Sequence, residues 1–515
     1  MLRTRILSSP LTTLLLGCGV LSSFTCAYGH AAGDSPHPVA DVHTSGASTP
    51  AIESSAHVAE RAVVSPAVEP PPAVVAAERE GRLLHMPDLE QHPFGLPIRI
   101  EDADGHSMDH LHAALARAAR GEGQARLLFW GASHTASDLY TGYLRRALQA
   151  RFGDAGHGFV LPVQPWRSYR QDGVRVESNR TRWEPHRIRA HSRDEDRFGV
   201  AGVYIETDRA GAFGRVSTAD HGDIGQHVGI FDLYYLEQPE GGSFDVYIDG
   251  RRQRRIRTRA DSARDAYATF HVEDGAHSFE VRANGTGKVR IFGVAMERER
   301  PGVVVDTLGI NGARARSQLL WNDETYRDQL ARRRPDLVVL AYGTNESGDD
   351  SPIERYEQKL RQVLTRVREV VPEASCLLIG PSDRPLKIED GVFEDRPRTA
   401  QVVEVQRRVA IELGCGFYDL VAFQGGPLSM LEWSAADPPY GAPDHIHYTR
   451  RGYQRLGQTL LEALMDGYSG PASSAPAAPD SAPASPAPAS AGASASAAPA
   501  SPAPASPAPA SPGAG

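Results

Sequence analysis

The chain has 515 residues, and 41% of them are hydrophobic, which is enough for a sizeable core. Its formal net charge is −9 at pH 7, and no long basic run occurs in it. We therefore exclude the classes that bind nucleic acid through a basic face, and we predict no nucleic-acid partner.

The N-terminus has the pattern of an export signal. Arg3 and Arg5 precede the apolar run Ile6–Leu16, which is too short to span a bilayer but suits the core of a signal peptide. Two endings are open: lipidation of Cys18, which follows a lipobox-like Leu-Leu-Gly, or cleavage after small residues near Ala27 or Gly29. We expect a periplasmic or otherwise extracytoplasmic protein, with a membrane tether through a Cys18 lipid as one alternative.

Segments of low complexity flank the folded part. The segment after the signal is rich in Ala, Pro, Val and Ser, and the C-terminal repeat "APASPAPASPAPASPGAG" has almost no apolar bulk to bury. Between them, a β-rich interval interrupts an alternation of strands and helices. The predicted boundaries are 1–30 (signal), 31–85 (linker), 86–165 and 301–468 (two parts of one α/β domain), 166–300 (an inserted β domain) and 469–515 (tail).

Five short apolar runs predict buried parallel strands. Helical patterns separate most of them, as in "IERYEQKLRQVLTRVREVV". Strands that alternate with helices predict an α/β fold, a doubly wound parallel sheet with helices on both faces. The predicted strands are Arg126–Gly131, Val303–Gly309, Leu337–Gly343, Cys376–Gly380 and Gly416–Leu420.

The interval 166–300 has a different pattern. Short runs such as "VGIFDLYYLE" and "SFDVYIDG" are separated by turn signals, among them Asp249-Gly250 and Asn284-Gly285. This spacing predicts an all-β sandwich or jelly roll, inserted into the connection between the first two strands of the sheet.

Candidate functional residues follow the predicted strands, at the edge where ligands bind in open α/β sheets. Ser133 follows the first strand, Gly312 the second and Asn345 the third. Asp444 and His447 lie beyond the fifth strand, on the run into the last helix. We therefore expect these five residues to meet at one edge of the sheet.

These residue types fit acyl transfer. The Ser133 hydroxyl needs a base to take its proton as it attacks, and the His447 imidazole can do so. Asp444, three residues before His447, can hold the ring in the required tautomer. The backbone N–H groups of Ser133 and Gly312 and the side-chain amide of Asn345 are candidate donors for an oxyanion hole, each worth roughly 2.7–4 kcal/mol of barrier.

Four short blocks, "GASH", "GINGA", "GTNE" and "DHIH", occur in this order and resemble the signature blocks of the SGNH (GDSL-like) hydrolases. The stretch "GASHTASDLYTGYLRRALQARFGDAGHGFVLP" is similar to the bacterial peptidoglycan O-acetylesterase branch, in which a carbohydrate-binding-module-like β domain follows the first block. The resemblance implies a flavodoxin-like α/β/α hydrolase with Ser133 as nucleophile, His447 as base and Asp444 orienting it. It also implies an oxyanion hole that includes Gly312 and Asn345, with no metal and no organic cofactor.

The first block departs from the usual Gly-Asp-Ser, because Ala132 stands where the family has Asp. The resemblance implies that this Asp supports the turn, so its loss removes a local hydrogen bond worth about 1–3 kcal/mol, and we expect a less preorganised nucleophile. His134, Trp166 and Tyr169 are candidate substrate-binding residues near the first block. For His134 the competing interpretation is local packing and hydrogen bonding.

The resulting expectation is an exported serine esterase that removes O-acetyl groups from a cell-envelope polysaccharide, foremost peptidoglycan. The alternatives are an O-acyltransferase or lipase-like esterase of the same fold, or a non-catalytic glycan-binding protein on a decayed hydrolase fold. The expected partner is an acetylated polysaccharide or another ester, and we predict no protein partner. Cys376 and Cys415 lie near the starts of two predicted strands and are either a disulfide or two buried thiols.

Overall fold

The computed structural model describes residues 94–188, 196–222 and 224–470. The predicted signal and linker, and the predicted tail from residue 471 onward, lie outside the described residues. Within the described ranges, no helix combines the length and the apolar character needed to cross a bilayer.

A parallel sheet forms the centre of the α/β part. Its strands are β1 (Gln124–Gly131), β13 (Gly302–Gly309), β14 (Leu337–Ala341), β15 (Ser375–Ile379) and β18 (Gly416–Tyr418). They lie in the order β13–β1–β14–β15–β18, and every neighbouring pair is parallel. The five predicted strands and the α/β class are thereby confirmed.

Helices cover both faces of this sheet, so the part has three layers. Side chains alternate between the faces along β1: Leu127 and Phe129 lie in one core, and Leu128 and Trp130 in the other. The helices are α1 (Asp109–Ala119), α2 (Ser133–Ala136), α3 (Tyr140–Phe152), α4 (Asp323–Arg333), α5 (Ile353–Val370), α6 (Pro397–Glu412), α7 (Leu420–Gln424), α8 (Ser429–Ala435) and α9 (Arg450–Met465). Short 3-10 turns occur at Arg180–Arg182, Ala315–Leu320 and Glu346–Gly348.

A disulfide joins two neighbouring strands of the sheet. Cys376 of β15 is bonded to Cys415, which immediately precedes β18, and their Cα atoms are 4.6 Å apart. Of the two interpretations of these cysteines, the structure has the disulfide.

Two antiparallel sheets pack face to face in the β-rich part. The larger contains β2 (Gly156–Val160), β4 (Glu184–Arg187), β5 (Val203–Thr207), β7 (Val228–Glu237), β10 (Arg264–Gly275) and β12 (Val289–Glu297). The smaller contains β3 (Val174–Ser178), β6 (Phe213–Thr218), β8 (Ser243–Ile248), β9 (Arg251–Arg257) and β11 (Ser278–Ala283). Phe231 of β7 stacks on Phe279 of β11 with ring centroids 5.0 Å apart, so the two sheets share an aromatic core. This is the additional β region that the sequence predicts.

Strand β2 lies before residue 166, where we predict the inserted domain to begin. It nevertheless pairs with β12, with Phe159 opposite Ala295. The larger β-sheet therefore takes one strand from chain that we assigned to the α/β part. A further hairpin, β16 (Leu386–Glu389) and β17 (Val392–Glu394), follows β15.

A buried charge cluster connects the β-rich part to the parallel sheet. The Arg333 guanidinium in α4 is 3% exposed and donates to Asp306 of β13 and to Glu297 of β12. Arg126 of β1 also donates to Glu297, at 2.6 Å. Burial alone raises the pKa of Glu297, but these two guanidinium groups outweigh it and lower the pKa to about 2. The carboxylate is therefore ionised at neutral pH.

Candidate active site

A tight turn presents Ser133 at the carboxyl end of β1. Gly131 ends the strand and Ser133 begins α2, so only Ala132 separates the strand from the helix. A Cβ at Gly131 would stand 2.1 Å from Thr135 Oγ1, and one at Gly309 would stand 2.1 Å from the Ala136 nitrogen. Both glycines are needed because α2 lies directly against the ends of β1 and β13.

Ser133, His447 and Asp444 form one chain of hydrogen bonds. The Ser133 Oγ lies 2.7 Å from His447 Nε2, and His447 Nδ1 lies 2.6 Å from Asp444 Oδ2. In the tautomer that the carboxylate selects, Nδ1–H donates to Asp444 and Nε2 accepts from the serine hydroxyl. The structure thus brings together the three residues predicted as nucleophile, base and orienting acid.

The loop before α9 holds Asp444 and His447 in place. Asp444 Oδ1 accepts the backbone N–H of Ile446 at 3.0 Å and that of His447 at 2.9 Å. Partial burial raises the pKa of Asp444, but the bonds from the His447 backbone and ring outweigh it, so the pKa lies below its usual range. The orienting group is therefore a carboxylate at neutral pH.

The predicted oxyanion donors lie on loops beside Ser133. Strand β1 pairs with β13 and β14, with Gly131 opposite both Gly309 and Ala341, so the loops after all three strands leave the sheet at the same level. The Ser133 N–H lies in the first turn of a helix, where such groups have no intrahelical partner. Gly312, three residues past the end of β13, has φ of +78°, and nothing lies within 4 Å of the place where a Cβ would stand.

Asn345 connects the second and third of these loops. Its Nδ2 donates to the Ala313 carbonyl at 2.9 Å. A side-chain amide has two hydrogens, so this bond fixes the orientation of the side chain and leaves one donor for a ligand. The structure therefore places all three candidate donor groups at one edge of the sheet with Ser133.

His134 lies behind His447, with their ring centroids 5.2 Å apart. It is 7% exposed, and its ring nitrogens contact Ser382 Oγ at 3.2 Å and the Tyr453 hydroxyl at 3.0 Å. Burial, with a smaller contribution from the charge of His447, lowers the pKa of His134 to about 3, so the ring is neutral at neutral pH. Burial and these internal bonds favour the competing interpretation of His134, local packing and hydrogen bonding, and its contact with substrate stays a prediction.

Tyr169 is also largely buried, and its role in substrate binding stays a prediction. It is 7% exposed, and its hydroxyl accepts the Leu161 N–H at 2.9 Å. Trp166, only partly buried, packs edge-on against the Tyr169 ring at 5.6 Å and lies under the Arg187 guanidinium at 5.4 Å. Of this predicted pair, Trp166 is the more exposed.

An alanine occupies the second position of the first block without leaving the turn unsupported. The Ala132 N–H donates to the Ala341 carbonyl at 3.3 Å, and its carbonyl accepts the Ala136 N–H at 2.9 Å. Thr135 Oγ1 also bonds the Tyr140 hydroxyl at 2.8 Å, which ties α2 to α3. Backbone and neighbouring side chains thus hold this turn with alanine at position 132.

Asp138 and Arg145 form a buried ion pair that sequence reasoning missed. Their closest nitrogen and oxygen atoms are 3.1 Å apart, and both side chains are almost fully buried. Asp138 also accepts the Thr307 hydroxyl at 2.8 Å and the Asp172 N–H at 2.7 Å. The pair therefore joins the end of α2 to α3, to β13 and to the segment that enters the β-rich part. The available signal was a charged residue, Arg145, beside the apolar positions of a helix.

Among the described residues, no group of three or more His, Cys, Asp or Glu side chains is arranged to hold a metal ion.

Comparisons with known proteins agree with this fold. A sequence model of the GDSL-like Lipase/Acylhydrolase family matches residues 250–455, which contain Gly312, Asn345, Asp444 and His447. A solved structure described as a peptidoglycan O-acetylesterase in action is 24% identical, with a TM-score of 0.58, and the match covers 72% of this chain and 99% of that chain. No curated protein matches the chain significantly.

Two further solved structures match less well. One is a salicylyl-acyltransferase from a tetracycline biosynthetic pathway, at 15% identity and a TM-score of 0.25, covering 59% of this chain and 99% of that chain. The other is a family two carbohydrate esterase from Cellvibrio japonicus, at 12% identity and a TM-score of 0.24, covering 57% of this chain and 98% of that chain. The family match over residues 250–455 and the shared fold support the assignment of this chain to the SGNH hydrolases, the GDSL-like lipase/acylhydrolase family.

Proposed function

We propose that this protein is an exported serine esterase that removes O-acetyl groups from a cell-envelope polysaccharide, with peptidoglycan as the polymer. The observation that carries the proposal is the chain of short contacts from Ser133 Oγ through His447 to Asp444. Such a chain activates an alcohol oxygen at neutral pH, and acyl transfer is the chemistry that uses it.

In the first half of the proposed reaction, Ser133 Oγ attacks the acetyl carbonyl carbon while His447 Nε2 takes the hydroxyl proton. The negative charge moves to the carbonyl oxygen, which the N–H groups of Ser133 and Gly312 and the Asn345 amide stabilise. His447 then gives its proton to the sugar oxygen as the carbon–oxygen bond breaks. The products are the free sugar hydroxyl and acetyl-Ser133.

In the second half, a water molecule takes the place of the sugar. His447 removes a proton from it, hydroxide adds to the acetyl carbon, and the same donors stabilise the oxyanion. Collapse returns the proton to Ser133 Oγ and releases acetate. Asp444 stays ionised throughout and stabilises the imidazolium that forms twice in each cycle.

Two observations support the substrate class and the location. The fold is shared with a structure described as a peptidoglycan O-acetylesterase, which makes an acetylated envelope glycan the first substrate to test. The Cys376–Cys415 disulfide supports export, because structural disulfides persist in oxidising compartments.

The decisive experiment compares wild type with Ser133→Ala on a small acetyl ester and on O-acetylated peptidoglycan. We expect acetate release from both substrates by the wild type and only background release by the variant. Labelling by a serine-directed sulfonyl fluoride should map to Ser133. Equal rates for the two proteins would refute the proposal, and transfer of acetyl to an added alcohol without free acetate would favour the acyltransferase alternative.

A further inference from the structure

A basic pocket lies beside the loop that carries Asn345. Its volume is about 550 Å³, and it lies between the 3-10 turn Ala315–Leu320, the loop after β14 and the first turns of α5. Glu346, the residue after Asn345, lies in its wall. The pocket therefore begins one residue from a group that we assign to the oxyanion hole.

Positive side chains outnumber the three carboxylates in the lining of this basic pocket. Arg316, Arg355, Lys359 and Arg398 all line it. The chain as a whole carries a formal charge of −9, so this concentration of cations is a local feature. The N-terminus of α5, an 18-residue helix, also lies at the pocket and adds a positive dipole end.

The acidic side chains of the lining are largely engaged elsewhere. Both Asp349 oxygens accept bonds from Arg314, at 2.6 and 2.7 Å. Glu346 accepts two backbone N–H groups, at 2.8 and 3.0 Å, and burial raises its pKa. Asp350 is the remaining carboxylate of the wall, so cations are in excess.

Arg398 supplies unused donors. Its Nε and Nη2 atoms are buried, and they have no hydrogen-bond partner among the described residues. The third nitrogen, Nη1, donates a hydrogen bond to Gln401 Oε1 at 3.4 Å. Buried donors without partners are costly, and the Nε/Nη2 edge of a guanidinium matches the two oxygens of a carboxylate.

We propose that the basic pocket binds a carboxylate of the ester substrate, so that the enzyme prefers acetyl esters on an acidic glycan to the same esters on a neutralised one. This inference rests on the proposed function, because it assumes that the ester itself binds at Ser133. The inference specifies that the substrate is negatively charged, and it assigns recognition of that charge to Arg398 and its neighbours in the basic pocket.

The test measures binding separately from turnover. The probes are an O-acetylated peptidoglycan fragment with free peptide carboxylates and the same fragment with its carboxylates converted to amides. Calorimetric Kd values are measured for full-length Ser133→Ala, which cannot consume them, and for that protein with Arg398→Gln added. We expect the acidic fragment to bind more tightly, and we expect Arg398→Gln to reduce this preference about tenfold, the effect of losing one charge-assisted pair.

A matched control is Arg327→Gln, which changes an arginine on α4 that is paired with Asp323 and Glu369 and does not line the pocket. It should keep the full preference. If Arg398→Gln melts below the assay temperature, Lys359→Gln replaces it with the same expected direction. Equal Kd values for the two fragments, or a preference that neither pocket variant changes, would overturn the inference.

The turnover arm separates this inference from the proposed function. If the protein with Ser133 intact releases no acetate but the acidic fragment still binds through Arg398, the proposed function fails and the pocket assignment stands. If acetate is released equally fast from both fragments, the esterase stands and the carboxylate preference fails.

Discussion

Replacing Asp444 with Asn tests the orienting role of this residue with little change of shape. The Asn oxygen can keep the two backbone bonds that Asp444 Oδ1 accepts, at 3.0 and 2.9 Å, so the loop should keep its form. The Asn NH₂, however, would face His447 Nδ1 across the present 2.6 Å contact. The favoured tautomer then carries its proton on Nε2, which can no longer accept from Ser133.

From this geometry we expect Asp444→Asn to lower kcat about 10⁴-fold, or about 5 kcal/mol of barrier, while the free energy of unfolding falls by only about 1 kcal/mol. The assay is release of 4-nitrophenol from its acetyl ester, with a thermal melt of the same sample. Asp390→Asn, at an exposed position in the β16–β17 hairpin, is the control and should match the wild type. A folded Asp444→Asn protein within tenfold of wild-type activity would refute the reasoning.

Three further outcomes follow from the packing. Gly131→Ala should cost about 1–3 kcal/mol of stability and most of the activity, because its Cβ would meet α2, whereas Gly123→Ala, with nothing within 4 Å, should do neither; equal melts would contradict this. Glu297→Gln should cost about 3 kcal/mol in denaturant melts at pH 7, because it leaves Arg333 under-compensated. The pKa of Glu297 in the folded protein is lowered to about 2 from an ordinary 4.5, so its contribution to the free energy of unfolding is complete above about pH 4.5 and is lost as the pH falls toward 2. The stability difference between wild type and Glu297→Gln should therefore narrow at low pH. A difference that stays constant with pH would count against the ion pair. Dithiothreitol should destabilise the wild type by about 4 kcal/mol, from a sequence separation of 39 residues, and should leave Cys376→Ser unchanged; an identical response of both proteins would exclude a structural disulfide.

The parallel sheet could be predicted because its strands are apolar on both faces and helical patterns separate most of them. The runs around Leu127 and Val338 therefore stand out from the sequence without knowledge of their neighbours. Strand β2 could not be found in this way. Its "GHGFV" sequence has little periodicity, and its partner β12 lies far along the chain, so only tertiary pairing identifies it.

Some features of the candidate site could likewise be predicted from the sequence, and others could not. Ser133 and His447 could be placed because the carboxyl ends of parallel strands share one edge of a sheet. For His134 the sequence left packing and substrate contact open, and the burial of Tyr169 could not be predicted, since it depends on segments that pack over it from elsewhere in the chain. The Asp138–Arg145 ion pair was not predicted for a related reason. A charged residue on a helix is expected to be exposed to solvent unless its buried partner is known.

The sharing of strands between the two parts has a practical consequence for anyone trimming this protein. Excising residues 166–300 would strip β2 of its hydrogen-bonded neighbour and leave the Arg333 guanidinium without one of its carboxylates. The predicted bounds of the insert, 166–300, therefore do not coincide with the bounds of the folded β-rich part. We therefore expect a protein that lacks residues 166–300 to be insoluble. Single substitutions on the outer surface of the smaller β-sheet should be tolerated.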